Sequence, residues 1–433
     1  MVADMREMKD SGVEIIGSIP QSWSISRLKY NLREPMKYGA TETGEDFDPS
    51  LYRYIRITDI TSEGALKEDG KLSLTPQQAF GYVLKDKTVL FARSGGTVGK
   101  SFLYKTSYGP SAFAGYLISG VADERKMLPE WLMYYTNSSA YWEWVSQIFT
   151  QATIQNIGAD KYSNMPIAIA PISEQRIIVA FLDSKCAEID ALSADIQSEI
   201  DTLEAYKRSK VFDTVTHGID HTDFVQTDSD VWSTIPAGWK LVDIKYIFEI
   251  VKRIAGKEGF DVIAITQQGL KYKDITSNEG QLASDYSGYQ FVYPGDYAMN
   301  HMDLLTGWVD LSDKFGVTSP DYRVFRLRYP DAYDHKYYKY IMQCCYMNRI
   351  FYSLGQGVSN LGRWRLQTSA FNNFKVPVPP YEKQVKIGEY LDAEISEING
   401  IIAQKQEQIA VLAEYKKSII YEYVTGKKEV PVT

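Results

Sequence analysis

The chain is poor in the residues that build disulfide frameworks, metal sites and membrane spans. Its 433 residues include three cysteines and four histidines, and neither set has metal-ligand or disulfide-scaffold spacing. The adjacent pair Cys344-Cys345 lies in an apolar run, which predicts two buried thiols. No apolar run approaches a membrane span, and residues 1–12 mix charges where a signal peptide would be apolar. We therefore expect a cytoplasmic protein.

Recognisable catalytic motifs are also scarce. The glycine loop 94–101 follows a predicted strand and resembles a phosphate-binding P-loop, but that motif needs glycine where Ser94 stands. The stretch 379–381 (Pro-Pro-Tyr) resembles part of the catalytic tetrapeptide of amino-methyltransferases, but Val378 replaces the required Asn, Asp or Ser. The spacing of the histidines does not indicate a Ser/His/Asp or Cys/His catalytic set. A nucleotide hydrolase or a methyltransferase is therefore disfavoured, although the glycine loop could still approach a phosphate or a groove edge.

The negative charge of the chain is unevenly distributed. The net charge is −8, which argues against simple DNA binding. Residues 171–232 hold 5 Lys/Arg against 13 Asp/Glu, whereas residues 13–170 hold 16 of each and residues 233–378 hold 17 against 14. The two large segments are thus neutral to slightly basic and could carry a local basic face.

Two internal matches show that the chain is a duplication. The segment 19–23 (Ile-Pro-Gln-Ser-Trp) returns as 235–239 (Ile-Pro-Ala-Gly-Trp), 216 residues later. The segment 171–207 returns without a gap as 380–416, 209 residues later. A duplicated chain can present two similar faces to one partner about a pseudo-twofold axis, and both duplex DNA and a pair of identical subunits offer such a target.

The second match predicts two long helices with the same apolar seam. Spacings of four and three residues place the same heptad positions on one face in both copies. About 40 residues of helix would span about 60 Å. Two separate amphipathic helices remain an alternative, but we favour mutual antiparallel pairing because each stripe is too long for a surface helix. The seam residues are Leu182, Cys186, Ile189, Ser193, Ile196, Ile200 and Leu203, and Leu391, Ile395, Ile398, Ile402, Lys405, Ile409 and Leu412.

These patterns predict an α+β fold with two similar domains and two long antiparallel coiled-coil helices. Strands are predicted at 52–57 and 87–92, and helices at 129–135 and 334–345. The predicted organisation is domain 1 at 13–170, a central helical spacer at 171–218, a linker at 219–232, domain 2 at 233–378 and a C-terminal helical spacer at 379–426.

The opening segment 9–23 closely resembles the start of specificity subunits of Type I restriction–modification systems. The resemblance continues through 54–60, through 153–157 and its echo at 357–361, and through the helix starts at Pro171 and Pro380. It implies two target-recognition domains, each reading half of a split, asymmetric DNA site. It also implies double-stranded DNA and two methyltransferase subunits as partners. Those subunits would carry S-adenosylmethionine, and a restriction–translocase subunit can join them. The chain itself would have no active site and no cofactor.

Position in the matching segments selects candidate DNA-contacting residues in each domain. Arg, Asn and Gln side chains are favoured because they read base edges through paired hydrogen bonds. The candidates in domain 1 are Arg56, Arg93, Ser94, Thr97, Lys100, Thr153, Gln155 and Asn156, and those in domain 2 are Thr266, Gln267, Gln268, Asn300, His301, Ser359, Asn360, Arg363 and Arg365.

Two other interpretations stay open at this point. A duplicated coiled-coil adaptor without DNA specificity would share the repeat and the seam. An enzyme, either a P-loop hydrolase or a methyltransferase, would show turnover by the purified chain alone.

Overall fold

The computed structural model describes residues 6–61, 64–150, 156–220, 223–275, 283, 285–356 and 364–431. The chain forms two compact units: the first unit comprises residues 1–196 and 407–433, and the second unit comprises residues 197–406. Each unit holds one body of short strands and helices together with one stretch of each long helix.

The first body is built from short strands and helices that lead into the first long helix. The strands are β1 (Met8–Asp10), β2 (Ser18–Pro20), β3 (Ser24–Arg27), β4 (Lys37–Tyr38), β5 (Glu45–Asp46), β6 (Tyr52–Ile55), β7 (Leu72–Leu74), β8 (Val89–Ala92), β9 (Ser101–Leu103), β10 (Ser111–Phe113), β11 (Leu117–Gly120) and β12 (Pro166–Ile169). The helices are α1 (Pro76–Ala79), α2 (Pro129–Thr136), α3 (Ser139–Thr150), α4 (Ala159–Ser163) and the long α5 (Ile172–His217). Single 3-10 turns occur at Leu28–Asn31, Ile57–Asp59 and Thr106–Tyr108.

The second body has a similar composition of elements and leads into the second long helix. Its strands are β13 (Phe224–Gln226), β14 (Thr234–Pro236), β15 (Lys240–Asp243), β16 (Phe248–Val251), β17 (Ile263–Thr266), β18 (Gly269–Tyr272), β19 (Gln290–Val292), β20 (Tyr297–Met299), β21 (Val309–Leu311), β22 (Gly316–Thr318), β23 (Arg323–Leu327) and β24 (Lys375–Val378). Its helices are α6 (Ile244–Ile247), α7 (His335–Met347), α8 (Ile350–Ser353), α9 (Thr368–Asn373) and the long α10 (Tyr381–Val424).

A four-stranded sheet lies at the centre of each body. In the first body its order is β4-β11-β8-β9, and in the second it is β16-β23-β20-β21. The register is the same in both: β8 pairs with β9 and β11 as β20 pairs with β21 and β23. The first body adds a second four-stranded sheet, β10-β6-β7-β5, in which β10 and β6 run parallel.

The first and last segments of each body pair with each other. Strand β3 lies antiparallel to β12, and β15 lies antiparallel to β24. Each body therefore begins and ends at one two-stranded ladder, directly before its long helix. The hairpins that precede these ladders repeat as well, with Met8 opposite Pro20 in the first unit and Phe224 opposite Pro236 in the second.

A buried glutamine joins the start of each long helix to its body. Gln175 Oε1 accepts from the backbone N–H of Leu128 at 2.9 Å, and its Nε2 donates to the carbonyl of Ala170 at 2.8 Å. Gln384, 209 residues later, bonds to the N–H of Asp334 and the carbonyl of Pro379, both at 2.9 Å. The two side chains are 0% and 1% exposed, so these bonds fix the helix direction relative to the body without competition from water.

The long helices begin after proline and end at glycine. Pro171 and Pro380 directly precede α5 and α10, where the missing N–H costs nothing. Gly218 and Gly426 follow the helix ends with φ of +78° and +71°, a left-handed conformation that glycine adopts without strain.

Within each unit, a stretch of α5 lies antiparallel to a stretch of α10. In the first unit, the Phe181 and Tyr423 rings lie 4.6 Å apart, and Lys416 Nζ lies 2.6 Å from Asp190. In the second unit, Lys405 pairs with Glu199, and Lys207 Nζ donates to Asn399 Oδ1 at 3.1 Å. Partner numbers fall in α10 as they rise in α5, which confirms the predicted antiparallel pairing.

The predicted seam is the buried face of these helices. Residues Leu182, Ile196 and Ile200 are 0%, 9% and 4% exposed, and Leu391 is 0% exposed. The polar positions are accommodated locally. Ser193 donates to the carbonyl of Ile189 at 2.9 Å, and the ammonium group of Lys405 pairs with Glu199.

Several local predictions are confirmed by the elements observed. The predicted strands contain β6 and β8, and the predicted helices correspond to α2 and α7. Cys344 and Cys345 are both fully buried free thiols. The glycine loop connects β8 to its antiparallel neighbour β9 and is followed by a strand, not by a helix, which is incompatible with a P-loop. No helix in the described ranges is long and apolar enough to cross a membrane.

Residues 219–232, predicted as a linker, contain a short strand and a buried tryptophan. Strand β13 lies inside this segment and pairs with β14, and Trp232 is fully buried. The indole N–H of Trp232 donates to the carbonyl of Lys375 at 2.8 Å. The composition of the segment did not indicate β13 or the burial of Trp232, because acidic residues surround both.

A charge in the seam should destabilise the fold, whereas a charge one helical turn earlier should not. Ile196→Asp places a carboxylate at a position 9% exposed, while the control Leu192→Asp changes a residue 49% exposed on the same helix. We expect Ile196→Asp to lower the free energy of unfolding by roughly 2–5 kcal/mol and Leu192→Asp by less than about 0.5 kcal/mol. Urea titrations of both variants measure the difference. Equal losses would show that the seam is assigned to the wrong face.

Candidate nucleic-acid interface

In the first unit, the loop after β8 lies beside the segment that follows residue 155. Ser94 and Asn156 form an isolated antiparallel bridge, and the N–H of Ile157 donates to the carbonyl of Arg93 at 2.8 Å. The structure therefore brings Arg93, Ser94 and Asn156 together, although Ser94 and Asn156 lie 62 positions apart in the sequence. All three were predicted to contact DNA.

Arg93 and Asn156 are both short of hydrogen bonds. The guanidinium carbon of Arg93 lies 4.8 Å from the centre of the Tyr38 ring, and its Nη1 lies 3.4 Å from the carbonyl of Gly115. Arg93 Nε and Asn156 Oδ1 are buried without a hydrogen-bond partner among the described residues. A buried polar atom without a partner is costly, so these two atoms mark a place where a bound group could complete the bonding. Tyr38 was not among the predicted site residues, because only the fold places its ring under Arg93.

The second unit repeats this arrangement with different side chains. Asn300 and His301 follow β20 as Arg93 follows β8, and the N–H of Leu366 donates to the carbonyl of His301 at 3.0 Å. Arg365 is exposed and exchanges backbone hydrogen bonds with Gln356 at 3.1 and 3.2 Å. His301 Nδ1 is buried without a partner among the described residues. Each unit thus presents a strand end beside the segment that leads to its last strand.

Asn300 is held by its own loop. Its carbonyl accepts from the hydroxyl of Tyr346 at 2.7 Å, and its Oδ1 accepts from the N–H of Met302 at 3.2 Å. The side-chain amide is half-buried, so the loop fixes its position beside His301.

Other predicted residues occupy different surroundings. Arg56 is bound to Asp59, with Nη2 2.7 Å from Asp59 Oδ1 and 2.7 Å from the carbonyl of Gly70. Thr97 is half-buried in the glycine loop, where its carbonyl accepts from the N–H of Lys100 at 3.0 Å. The aspartate holds the guanidinium of Arg56 in one orientation, which sequence position alone did not indicate.

The predicted residues Thr266, Gln267 and Gln268 form the turn between β17 and β18. Thr266 Oγ1 donates to the carbonyl of Gly269 at 2.9 Å, and Gln267 Nε2 lies 3.4 Å from the carbonyl of Thr306. The candidates Thr153, Gln155, Ser359, Asn360 and Arg363 lie outside the described residues.

Each unit also contains a cleft between its body and its stretch of long helix. The volumes are about 770 Å³ in the first unit and about 1010 Å³ in the second. Lys100 lines the first cleft, and Gln267 and Gln268 line the second. These three candidates therefore lie on the side of each body that faces the long helix. They do not lie with the atoms of Arg93, Asn156 and His301 that have no partner among the described residues.

A tyrosine–aspartate hydrogen bond repeats in the two clefts. Tyr134 donates to Asp183 at 2.6 Å in the first, and Tyr340 donates to Asp392 at 2.8 Å in the second. Burial, and then the neighbouring aspartate, raises the pKa of both tyrosines above its ordinary value, so both hydroxyls keep their protons and act as donors. The aspartates lie 209 residues apart on equivalent positions of α5 and α10.

The charge around His301 is positive. Burial, together with the nearby Arg323 and Arg365, lowers the pKa of His301 to about 3. Burial also lowers the pKa of Arg323 to about 10, and Arg365 acts in the same direction. The imidazole of His301 is therefore neutral and the guanidinium of Arg323 is charged near pH 7. Arg323 was missed by sequence reasoning because an arginine in a strand is usually exposed.

The described residues contain no group of three or more His, Cys, Asp or Glu side chains arranged to hold a metal ion. The stretch that resembled a methyltransferase motif lies at the start of α10, where Tyr381 is the first helical residue and is 45% exposed. Its prolines thus mark the beginning of the helix.

A family model for the Type I restriction modification DNA specificity domain matches residues 38–202 and 236–411. The chain belongs to this family. The two matched ranges correspond to the two halves of the duplication, which confirms the resemblance inferred from the sequence and the predicted fold class of two similar recognition domains with two long helices.

Two curated specificity subunits share a limited segment with the chain. They are those of the Type I restriction enzymes StySPI of Salmonella potsdam and EcoKI of Escherichia coli (strain K12). Each is 27% identical over 133 residues, which is 29% of this chain and 27% of the relative. The match thus spans about a quarter of the length of these relatives.

A solved chain from work on complex assembly and conformational transition of the type I R-M system has the same fold. The TM-score is 0.66 at 16% identity, over 95% of this chain and 99% of that chain. At this identity the likeness establishes the fold.

The depressed pKa of His301 should make stability pH-dependent. The unfolded chain takes up a proton at this residue near pH 6.5, whereas the folded chain does so only near pH 3. Stability should therefore fall as the pH drops below 6.5, by at most about 1.4 kcal/mol per pH unit. Between pH 7.5 and 5.0, urea titrations should show the parent chain losing about 2 kcal/mol more than His301→Gln. Equal losses would mean that His301 is protonated in the folded chain.

Proposed function

We propose that the chain is the non-catalytic DNA sequence-recognition subunit of a Type I restriction–modification enzyme. It reads a bipartite, asymmetric site in double-stranded DNA and positions the methyltransferase subunits that modify it. The observation that carries this proposal is the repeated arrangement of a strand end and a neighbouring segment in both units of a chain from the specificity family.

The side chains at the two repeated places suit different half-sites. The first unit offers Arg93 and Asn156, and the second offers Asn300. Arginine reads guanine through two hydrogen bonds, and asparagine reads adenine in the same way. Different residues on a similar backbone arrangement would read two unlike half-sites, which makes the whole target asymmetric.

Two methyltransferase subunits are the partners supported by the duplicated surfaces. Each cleft lies between a body and a long helix and contains the same tyrosine–aspartate pair. One partner segment could therefore dock in the same way at both clefts. S-adenosylmethionine would be bound by these partners, and a restriction–translocase subunit can join the same complex.

The bodies should determine the half-sites independently. Both ends of the first body lie in the β3–β12 ladder, so residues 20–170 can be replaced by the matching body of a related subunit with the long helices unchanged. We expect the methylated sequence to change in one half-site only. Sequencing of modified adenines in the host genome measures this, with exchange of residues 236–379 as the reciprocal control. Changes in both half-sites after one exchange would rule out one body per half-site.

The helices should determine the gap between half-sites. The half-site centres are expected to lie roughly one helical turn of DNA apart, about 34–36 Å. Four residues inserted after Ile196 and after Lys405 lengthen both helices by about 6 Å, less than two base pairs of about 3.4 Å each. We expect a longer unread gap and unchanged half-sites.

The control for this experiment is an insertion in one helix alone. It shifts the seam residues of that helix past their partners, so the chain should lose stability and modification should cease. An unchanged gap after the double insertion would contradict the role of the helices as a spacer.

A further inference from the structure

Arg323 is a buried guanidinium that contacts only neutral groups in the part of the chain that the structure describes. It is 4% exposed on β23. Its Nη2 donates to the carbonyl of Leu366 at 3.1 Å and lies 3.3 Å from the hydroxyl of Thr368. The guanidinium carbon lies 4.5 Å from the centre of the Phe371 ring. No described carboxylate lies within 4.0 Å of it.

Two other buried or half-buried arginines have a carboxylate partner. Arg53, 8% exposed, lies 3.6 Å from Glu68, and Arg253 pairs with Asp296. A buried charge without a partner is expensive, because neutral dipoles replace only part of its hydration. Arg323 therefore differs from Arg53 and Arg253, although it is more deeply buried than Arg53.

The strand register identifies the corresponding residue of the first unit. Phe91 lies two residues before Arg93, and Met299 lies two residues before His301, so these two strand positions correspond. Arg323 lies opposite Met299 on β20, and Ile118 lies opposite Phe91 on β8. Ile118 is fully buried, so an apolar side chain fills this place when packing is the sole requirement. The charge at Arg323 is a property of the second body alone.

The surroundings of Arg323 add positive charge. Its acceptor Leu366 follows Arg365, which is exposed, and the N–H of Leu366 donates to the carbonyl of His301. His301 Nδ1 is buried and has no partner in the described ranges. The carboxylate on the same loop, Asp303, accepts from the N–H groups of Leu305 and Thr306 at 2.9 and 3.0 Å, so it already caps its own turn.

We propose that Arg323, His301 and Arg365 form an anion site that takes a backbone phosphate of the bound nucleic acid. Arg365 contacts the phosphate directly. Arg323 is a positioning residue that holds Leu366 and Thr368 and supplies a second positive charge. This inference rests on the proposed DNA-reading function, and it assigns to the second body a contact that orients the duplex and carries no sequence information.

A phosphate fits this site better than a base edge does. A base edge is neutral and leaves two neighbouring guanidinium groups uncompensated. A phosphodiester carries a full negative charge and offers oxygen acceptors to both arginine and a neutral imidazole N–H. The site would then gain its missing counter-ion only when the duplex is bound.

The first test measures the full-length chain with inorganic phosphate as the probe. At constant ionic strength, replacing chloride by phosphate should raise the melting temperature of the parent chain by roughly 1–2 °C more than that of Arg323→Met. The matched control is Arg326→Met, which removes an exposed arginine from the same strand, paired with Glu249 at 3.0 Å. This control should keep the full response to phosphate.

The second test measures DNA binding by the assembled complex as a function of salt. Arg323→Met and Arg365→Gln should each lower the slope of log affinity against log salt by about 0.9, the value for one lost phosphate contact. The loss should be equal on cognate and scrambled duplexes. Arg365→Gln changes an exposed side chain and therefore leaves the core intact.

The outcomes separate this inference from the proposed function. If Arg323→Met and Arg365→Gln both keep the full response to phosphate, and Arg323→Met only lowers the melting temperature, the anion site is overturned. Arg323 would then only fasten the 366–368 segment. A lost response with an unchanged salt slope would overturn the assignment to nucleic acid. An altered half-site would make these residues readers of bases instead. A complex that binds no DNA would refute the proposed function, while the phosphate response would still decide whether the anion site exists.

Discussion

The apolar seam shared by α5 and α10 is the constraint on which the other contacts depend. Each helix exposes a stripe of heptad residues that its own body covers only at one end, where Leu182 and Leu391 are fully buried. The rest of the stripe is buried by the other helix, and ion pairs such as Asp190–Lys416 are consistent with the antiparallel direction. Because buried Gln175 and Gln384 fix the helix starts, the orientation of each helix is passed to its body. Within its own unit, each body then holds the strand end that presents Arg93 or His301.

The candidate interface has little regular structure of its own, and it is ordered by backbone bonds from distant segments. Ile157 reaches Arg93, and Leu366 reaches His301. Regular ladders such as β3–β12 lie elsewhere in each body, directly before the long helix. This division lets side chains at the loops vary while the ladder and the buried glutamine stay the same. Between the two halves of this chain, the loop side chains differ in this way while the ladder and the buried glutamine are repeated.

The sequence predicted the features that depend on periodicity or repetition. The heptad spacing predicted the buried faces of both helices, and the repeated segments predicted two halves with similar organisation. The burial of Trp232 within the predicted linker 219–232 could not be predicted, because composition does not show which residues surround a side chain. The burial of Arg323 and the stacking of Arg93 on Tyr38 could not be predicted either, since each depends on contacts between residues more than 40 positions apart in the chain. Among the predicted contacts, Lys100 and Gln267 lie toward the clefts, a distinction that sequence position does not encode.

Ile118 of the first body and Arg323 of the second occupy corresponding strand positions. This difference should give the two bodies a different salt dependence of nucleic-acid binding. A body that binds through uncompensated guanidinium groups loses affinity steeply as salt rises, and one with an apolar residue at that position loses less. A chain that receives this second body in an engineered exchange should therefore acquire its salt dependence together with its half-site.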